Sequence, residues 1–129
     1  MNVSQFLDRV MECDPYVRFA VVIDTYGKKV DSRQKEGVEN FLPPQEMDDS
    51  IRHALHAWEF RKKISEFVGK NQFVLAVYDN VRRLTLPLGK DRLLLVALDN
   101  KGGQKDLVEN ILAIIGGDYT RPISPGMQN

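Results

Sequence analysis

The 129-residue sequence has one cysteine, one tryptophan, two histidines and no excess of either charge. Each scarcity excludes something. With Cys13 alone, no disulfide can close within the chain, and a reducing, cytoplasmic setting is the simplest expectation. Eighteen Lys and Arg balance eighteen Asp and Glu, so the global positive field that favours non-specific nucleic-acid binding is missing. No apolar run approaches the ~20 residues of a membrane span. Asp8 and Glu12 fall where a signal peptide would carry its apolar core. There is no Walker-type phosphate loop and no GxGxxG, so no cofactor is expected.

What remains has the make-up of a soluble globular domain: 43% hydrophobic and 28% charged residues, in a length typical of one domain. The domain is expected over residues 1–117. The tail 118–129 shows no pattern and is expected to be loosely held.

Val3, Phe6, Leu7, Val10 and Met11 recur every three or four residues and predict a helix over Val3–Cys13, with Asn2 or Ser4 as cap and Asp14-Pro15 as stop. The continuous run Phe19–Ile23 predicts a central strand within Tyr16–Asp24. Thr25–Lys28 is a turn around Gly27, and the charged stretch Lys29–Arg33 returns as an edge strand. The segment Gln34–Pro44 reads as a loop lying on the body, anchored by Val38, Phe41 and Leu42. Strands follow at Asn71–Tyr78, Val81–Leu88 and Arg92–Asp99, the last central. A final helix carries Leu107, Val108, Ile111, Leu112, Ile114 and Ile115 and is expected to end at Gly116-Gly117.

The long helix predicted over Gln45–Val68 has an unusual pattern. One apolar stripe runs through Met47, Ile51, Ala54, Leu55 and Trp58. Another runs through Ala57, Phe60, Ile64 and Phe67. At ~100° per residue the two do not coincide, and together they cover well over half the circumference. Two apolar sides imply two neighbours. The sheet supplies one, and a second copy of the chain is the natural other. The Met47–Trp58 stripe is the one we assign to the partner, so the expected dimer interface is Met47, Ile51, Ala54, Leu55 and Trp58. The expected fold class is α/β (α+β): a five-stranded, mostly antiparallel sheet flanked by helices, in the order α-β-β-α-β-β-β-α, with the first and last helices side by side on one face.

This order resembles the roadblock/dynein light-chain family, a branch of the profilin-like and longin-like folds. The resemblance spans Val3 to about Ile115. It is carried by the opening amphipathic helix, by FAVVIDTYGKKVDS with its Asp before the turn and Gly within it, by the long helix, and by the meander LTLPLGKDRLLLVALD. It implies dimers in which middle helices pack together and edge strands pair. It further implies a scaffold or regulator of small Ras-like GTPases, or an adaptor in motor and signalling complexes. The sequence departs from the pattern in its decorated 34–44 loop and in the cations Lys28, Lys29, Arg33 and Lys35 around the second strand.

No motif carries catalytic chemistry, and no enzyme activity is expected. His53 and His56, with Glu59 as a third ligand, would be a metal site only with further donors, and plain surface or interface residues are the simpler reading. Cys13 has no recognisable base, and Asp48-Asp49 suit the positive end of a helix dipole. Gly102-Gly103 could offer backbone amides to an anion, although a plain strand-to-helix connection accounts for them. Lys28, Lys29, Arg33, Arg61 and Lys62, with Arg82-Arg83 further on, would greet an acidic protein partner if they shared a face. The interleaved acids favour a mixed solvated surface. The expected function is therefore a non-enzymatic, homodimeric interaction module. The alternative is a small-molecule-sensing domain of a signalling system, with its ligand between sheet and helix.

Overall fold

A computed structural model describes residues 2–102 and 104–118. The elements are α1 (Val3–Glu12), β1 (Val17–Asp24), β2 (Lys29–Gln34), α2 (Pro44–Val68), β3 (Val74–Val77), β4 (Val81–Leu88), β5 (Arg92–Asp99) and α3 (Gln104–Asp118). The expected order is the one found. The expected tail lies outside the described residues beyond Asp118.

Local chemistry accounts for the boundaries. Asn2 closes a capping box: its Oδ1 accepts from the Gln5 amide at 2.8 Å, and the Asn2 amide donates back to Gln5 Oε1 at 3.2 Å. At the β1–β2 turn, Asp24 Oδ1 accepts from the amides of Tyr26 and Lys28, both at 2.9 Å, and Gly27 takes φ +80°. β3 is shorter than expected: residues 71–73 precede the ladder, and Tyr78 already belongs to the turn, its amide donating to the Val81 carbonyl at 2.8 Å. α3 does not stop at Gly116-Gly117 but continues to Asp118. Packing of Ile114 and Ile115 in the core outweighs the ~1 kcal/mol that each glycine costs a helix.

The sheet order is β2-β1-β5-β4-β3, with every pairing antiparallel. β5 is central, while β2 and β3 are the edges. Pro87 sits beyond the end of the β3 ladder, which finishes at Val74 opposite Thr85, so its missing N–H costs no bond on that side.

Three layers result. On one face α1 and α3 lie together, with Phe6, Leu7, Val10, Ile111 and Ile115 packed on Ala20, Val22, Leu84, Leu86, Leu94 and Val96. On the other face α2 lies alone. Ile51, Leu55 and Trp58 pack on Phe19, Val21 and Ile23 of β1 and Leu93 and Leu95 of β5. The period-two alternation of the strands divides the two cores. α2 thus covers β1 and β5, and leaves much of β4 and β3 on that face uncovered.

Candidate functional site

The uncovered strip is a groove of about 550 Å³ between α2 and the β3–β4 side of the sheet. Met47, Ser50, Ala54, Ala57 and Arg61 form its helical wall. Its floor and far wall are built by Val74, Ala76 and Tyr78 around β3, Arg83 and Thr85 of β4 and Ala97 of β5. It is a trough open along its length rather than a closed cavity. Beside it, β3 offers an edge with no strand partner among the described residues.

The expected interface residues divide over this geometry. Ile51 and Trp58 are each 5% exposed and Leu55 is 7% exposed, all turned onto the chain's own sheet. The assignment of these three to a partner is corrected: bulky side chains fill the deeper contact, which is intramolecular. Met47 and Ala54, from the same expected set, are half-buried along the groove. The other stripe is the one that faces outward. Phe60 is 63% exposed, Phe67 83% and Ile64 42%.

The expected cationic patch does not assemble. Arg33 belongs to the α1 side of the sheet, where Nε pairs with Asp8 at 2.9 Å and Nη1 with Asp31 at 3.0 Å. Its Nη2 also reaches the Ser4 hydroxyl. The Ser32 amide and then Arg33 hold the Asp31 carboxyl below the usual range. Lys62 pairs with Glu59 at 3.7 Å, and Lys28 and Lys29 stand exposed at the β1–β2 turn. Arg61, on the opposite side of the sheet from Arg33, lines the groove.

Arg82 and Arg83 separate across the sheet. Arg82 is 1% exposed and donates to main-chain carbonyls of Asp99 (3.0 Å), Lys101 and Gly102 (3.4 Å), so it clamps the connection between β5 and α3. Gly102, at φ +76°, lies so close to the Tyr16 ring that a Cβ would sit 2.8 Å from it. That contact explains this glycine without a ligand; Gly103 lies outside the described residues. Arg83 points into the groove, donates to Ser50 Oγ at 2.6 Å, and has its pKa lowered by burial. No carboxylate pairs with it among the described residues.

His53 and His56 are exposed on α2, and among the described residues no three His, Cys, Asp or Glu are placed to hold a metal ion. Asp49, in the second turn of α2, accepts from Gln45 Nε2 at 3.1 Å and pairs with Arg52. Cys13 is pushed up to about 11, chiefly by burial and then by Asp14, which leaves a thiol that is a poor nucleophile at neutral pH. No helix among the described residues is long and apolar enough to cross a membrane.

Arg18 is a residue the sequence reading passed over. Set at the irregular start of β1, it pairs with Asp99 at 2.6 Å, donates to the Glu39 carbonyl at 2.8 Å and stacks 4.3 Å over the Phe41 ring. The decorated loop is thereby held on the body, as expected, but by a cation under the aromatic ring rather than by apolar anchors alone.

No family model matches the chain, and no curated protein does. Solved structures do. The gliding protein MglB of Thermus thermophilus superposes with a TM-score of 0.72 at 12% identity, over 87% of this chain and 82% of that one. A roadblock/LC7 domain from Streptomyces avermitilis gives 0.69 at 12% identity, over 91% and 94%. MglC from Myxococcus xanthus gives 0.62 at 16% identity, over 91% and 96%. The layered order, the sheet topology and these superpositions agree: the chain has the profilin-like fold of roadblock/LC7 domains.

Proposed function

We propose that this protein is a non-enzymatic, homodimeric interaction module that scaffolds or regulates a small Ras-like GTPase. One observation carries the reading. α2 leaves an apolar trough open over β3 and β4, and this trough runs beside an unpaired strand edge. A large groove with small and apolar walls and an accessible β-edge is a surface built to be covered by protein. The exposed Ile64, two turns beyond Ala57 on α2, extends the apolar helical wall past the groove. The roadblock fold supports the choice of partner class, since the resemblance stated above implies GTPase platforms. Among proteins of similar fold, one MglB structure carries a tetrameric arrangement.

Light scattering tests the dimer: the expected mass is twice 14.8 kDa at micromolar concentration. A mass of 14.8 kDa across that range would remove the reading. Ala57→Lys, which places a charge in the groove wall at a position outside the core cluster, is expected to give a folded monomer. GTP turnover by Ras-like GTPases of the same organism, measured with and without the protein, tests the regulatory role. A severalfold change is expected, and no change in turnover or binding by any of them would sink it.

A further inference from the structure

α2 outlasts the core it covers. Ile51, Leu55 and Trp58 are its buried residues, and nothing in the helix after Trp58 is buried. In that last stretch Phe60 and Phe67 stand two turns apart and share one flank. Both rings are largely in water, and Val68 beside them is 76% exposed. Neither ring lines the groove. Lys63 lies between them, three residues after one and four before the other, so all three are neighbours on the helix surface.

The turns of the sheet flank the same end of the molecule. Asp24, Thr25, Lys90 and Arg92 border one hollow with Trp58 and Lys62. The cationic patch expected from the sequence fails through Arg33, but a different set of cations gathers here. Residues 24–29, 59–70 and 89–92 hold eight Lys and Arg against four Asp and Glu, in a chain whose charges cancel overall. Lys28, Lys63, Lys70, Lys90 and Arg92 are all exposed. Of the four acids, Asp24 accepts from turn amides and Glu59 pairs with Lys62. This end of the protein is therefore positive.

Shape selects the partner. An acidic protein would satisfy the cations, but two rings on a projecting helix would each need a cleft in it. A lipid interface yields to apolar rings wherever they arrive, and an anionic one supplies the counter-charge. We propose that the C-terminal end of α2 is a peripheral membrane-binding tip: Phe60 and Phe67 enter the interfacial layer of an anionic bilayer, and Lys63 and Lys70, with the turn cations around them, face its headgroups. The segment lies on the membrane and does not cross it. This goes beyond the interaction module proposed above and does not depend on the dimer.

Vesicle flotation of the full chain tests it. The wild type is expected to float with vesicles of phosphatidylcholine and phosphatidylserine at about three to one, and to come off them as salt rises. Its affinity for phosphatidylcholine alone is expected to be lower by about tenfold or more. F60S/F67S and K63E/K70E are each expected to lose about tenfold or more in affinity for the mixed vesicles. F67W is expected to keep it, with the emission of the new indole shifting to the blue on those vesicles; Trp58 is buried and does not mask the change. Circular dichroism checks that every variant folds, and light scattering is expected to give F60S/F67S the mass of the wild type. A wild type that floats with neither vesicle, that binds both equally, or whose folded variants float as it does would overturn the proposal. Retention on immobilised polyglutamate without flotation would overturn it in favour of an acidic protein. A monomeric wild type that floats would overturn the dimer and support the tip.

Discussion

Arg82 and Arg83 are neighbours in the chain and opposites in the fold. Read as sequence they form one positive cluster, because composition does not say which face a strand residue takes. The period-two pleat sends Arg82 into the α3 side and Arg83 into the groove. Their substitutions are therefore expected to diverge. Arg82→Leu takes the buried donor away from the carbonyls of Asp99, Lys101 and Gly102, and is expected to cost about 1–3 kcal/mol in urea denaturation. Arg83→Leu removes a half-buried cation whose one hydrogen bond is to a serine, and is expected to change stability by less than about 0.5 kcal/mol. Equal costs would show that the connection does not depend on the Arg82 clamp. Cys13 was legible as a small residue at a helix end, but its protonation was not, since burial decides it. A thiol raised from 9.0 to about 11 carries roughly a hundredfold less thiolate at pH 8, so alkylation is expected to be about a hundredfold slower than for a free thiol. The folded state holds its proton more tightly than the unfolded one. Stability from this group is therefore complete below pH 9 and falls as the pH climbs through about 11, readable as a decline in melting temperature over that window.

Among the elements, α2 shows where periodicity informs and where it stops. Two apolar stripes at different angles were visible in the sequence, and so was the need for two neighbours. Which stripe met the sheet was not, because both are aliphatic and aromatic, and periodicity alone carries no depth. The structure decides by size and fit: Trp58, Leu55 and Ile51 fill the layer over β1 and β5, while Phe60 and Phe67 point away from it. The consequence is a contrast within one helix. Trp58→Asp buries a carboxylate with no counter-charge, and the expected loss, more than about 4 kcal/mol, is enough to unfold a domain of ordinary stability. Phe67→Ser, on the outward flank, is expected to leave the denaturation midpoint within about 0.5 kcal/mol of wild type. Comparable destabilisation by both would mean that the outward flank is buried. β1, β2, β4 and β5 were legible to within a residue at each end, while β3 was read at twice its length and α3 as ending at the glycines before Asp118. Continuous apolar runs and tight turns admit one arrangement, whereas the end of α3 depends on tertiary packing that two glycines do not announce.

At the scale of the whole molecule, the exposed groove and the β3 edge bear on stability as well as on recognition. A chain that leaves a core-like trough and a strand edge open is stabilised by whatever covers them, and a second copy covers them only in proportion to its concentration. For a dimer that dissociates as it unfolds, each tenfold rise in concentration adds about 1.4 kcal/mol per dimer to the stability of the folded state. A unit of two such chains gains roughly 2–4 °C per kcal/mol, so the melting temperature is expected to climb by roughly 3–5 °C per decade across the micromolar range, as read by calorimetry. Ala57→Lys in the groove wall is expected to flatten this dependence, because its mid-transition is already that of a separated chain over much of the range. A melting temperature indifferent to concentration in the wild type, together with a mass of 14.8 kDa, would show that the trough is stable uncovered. In that case the partner that fits it would have to be sought in a different protein.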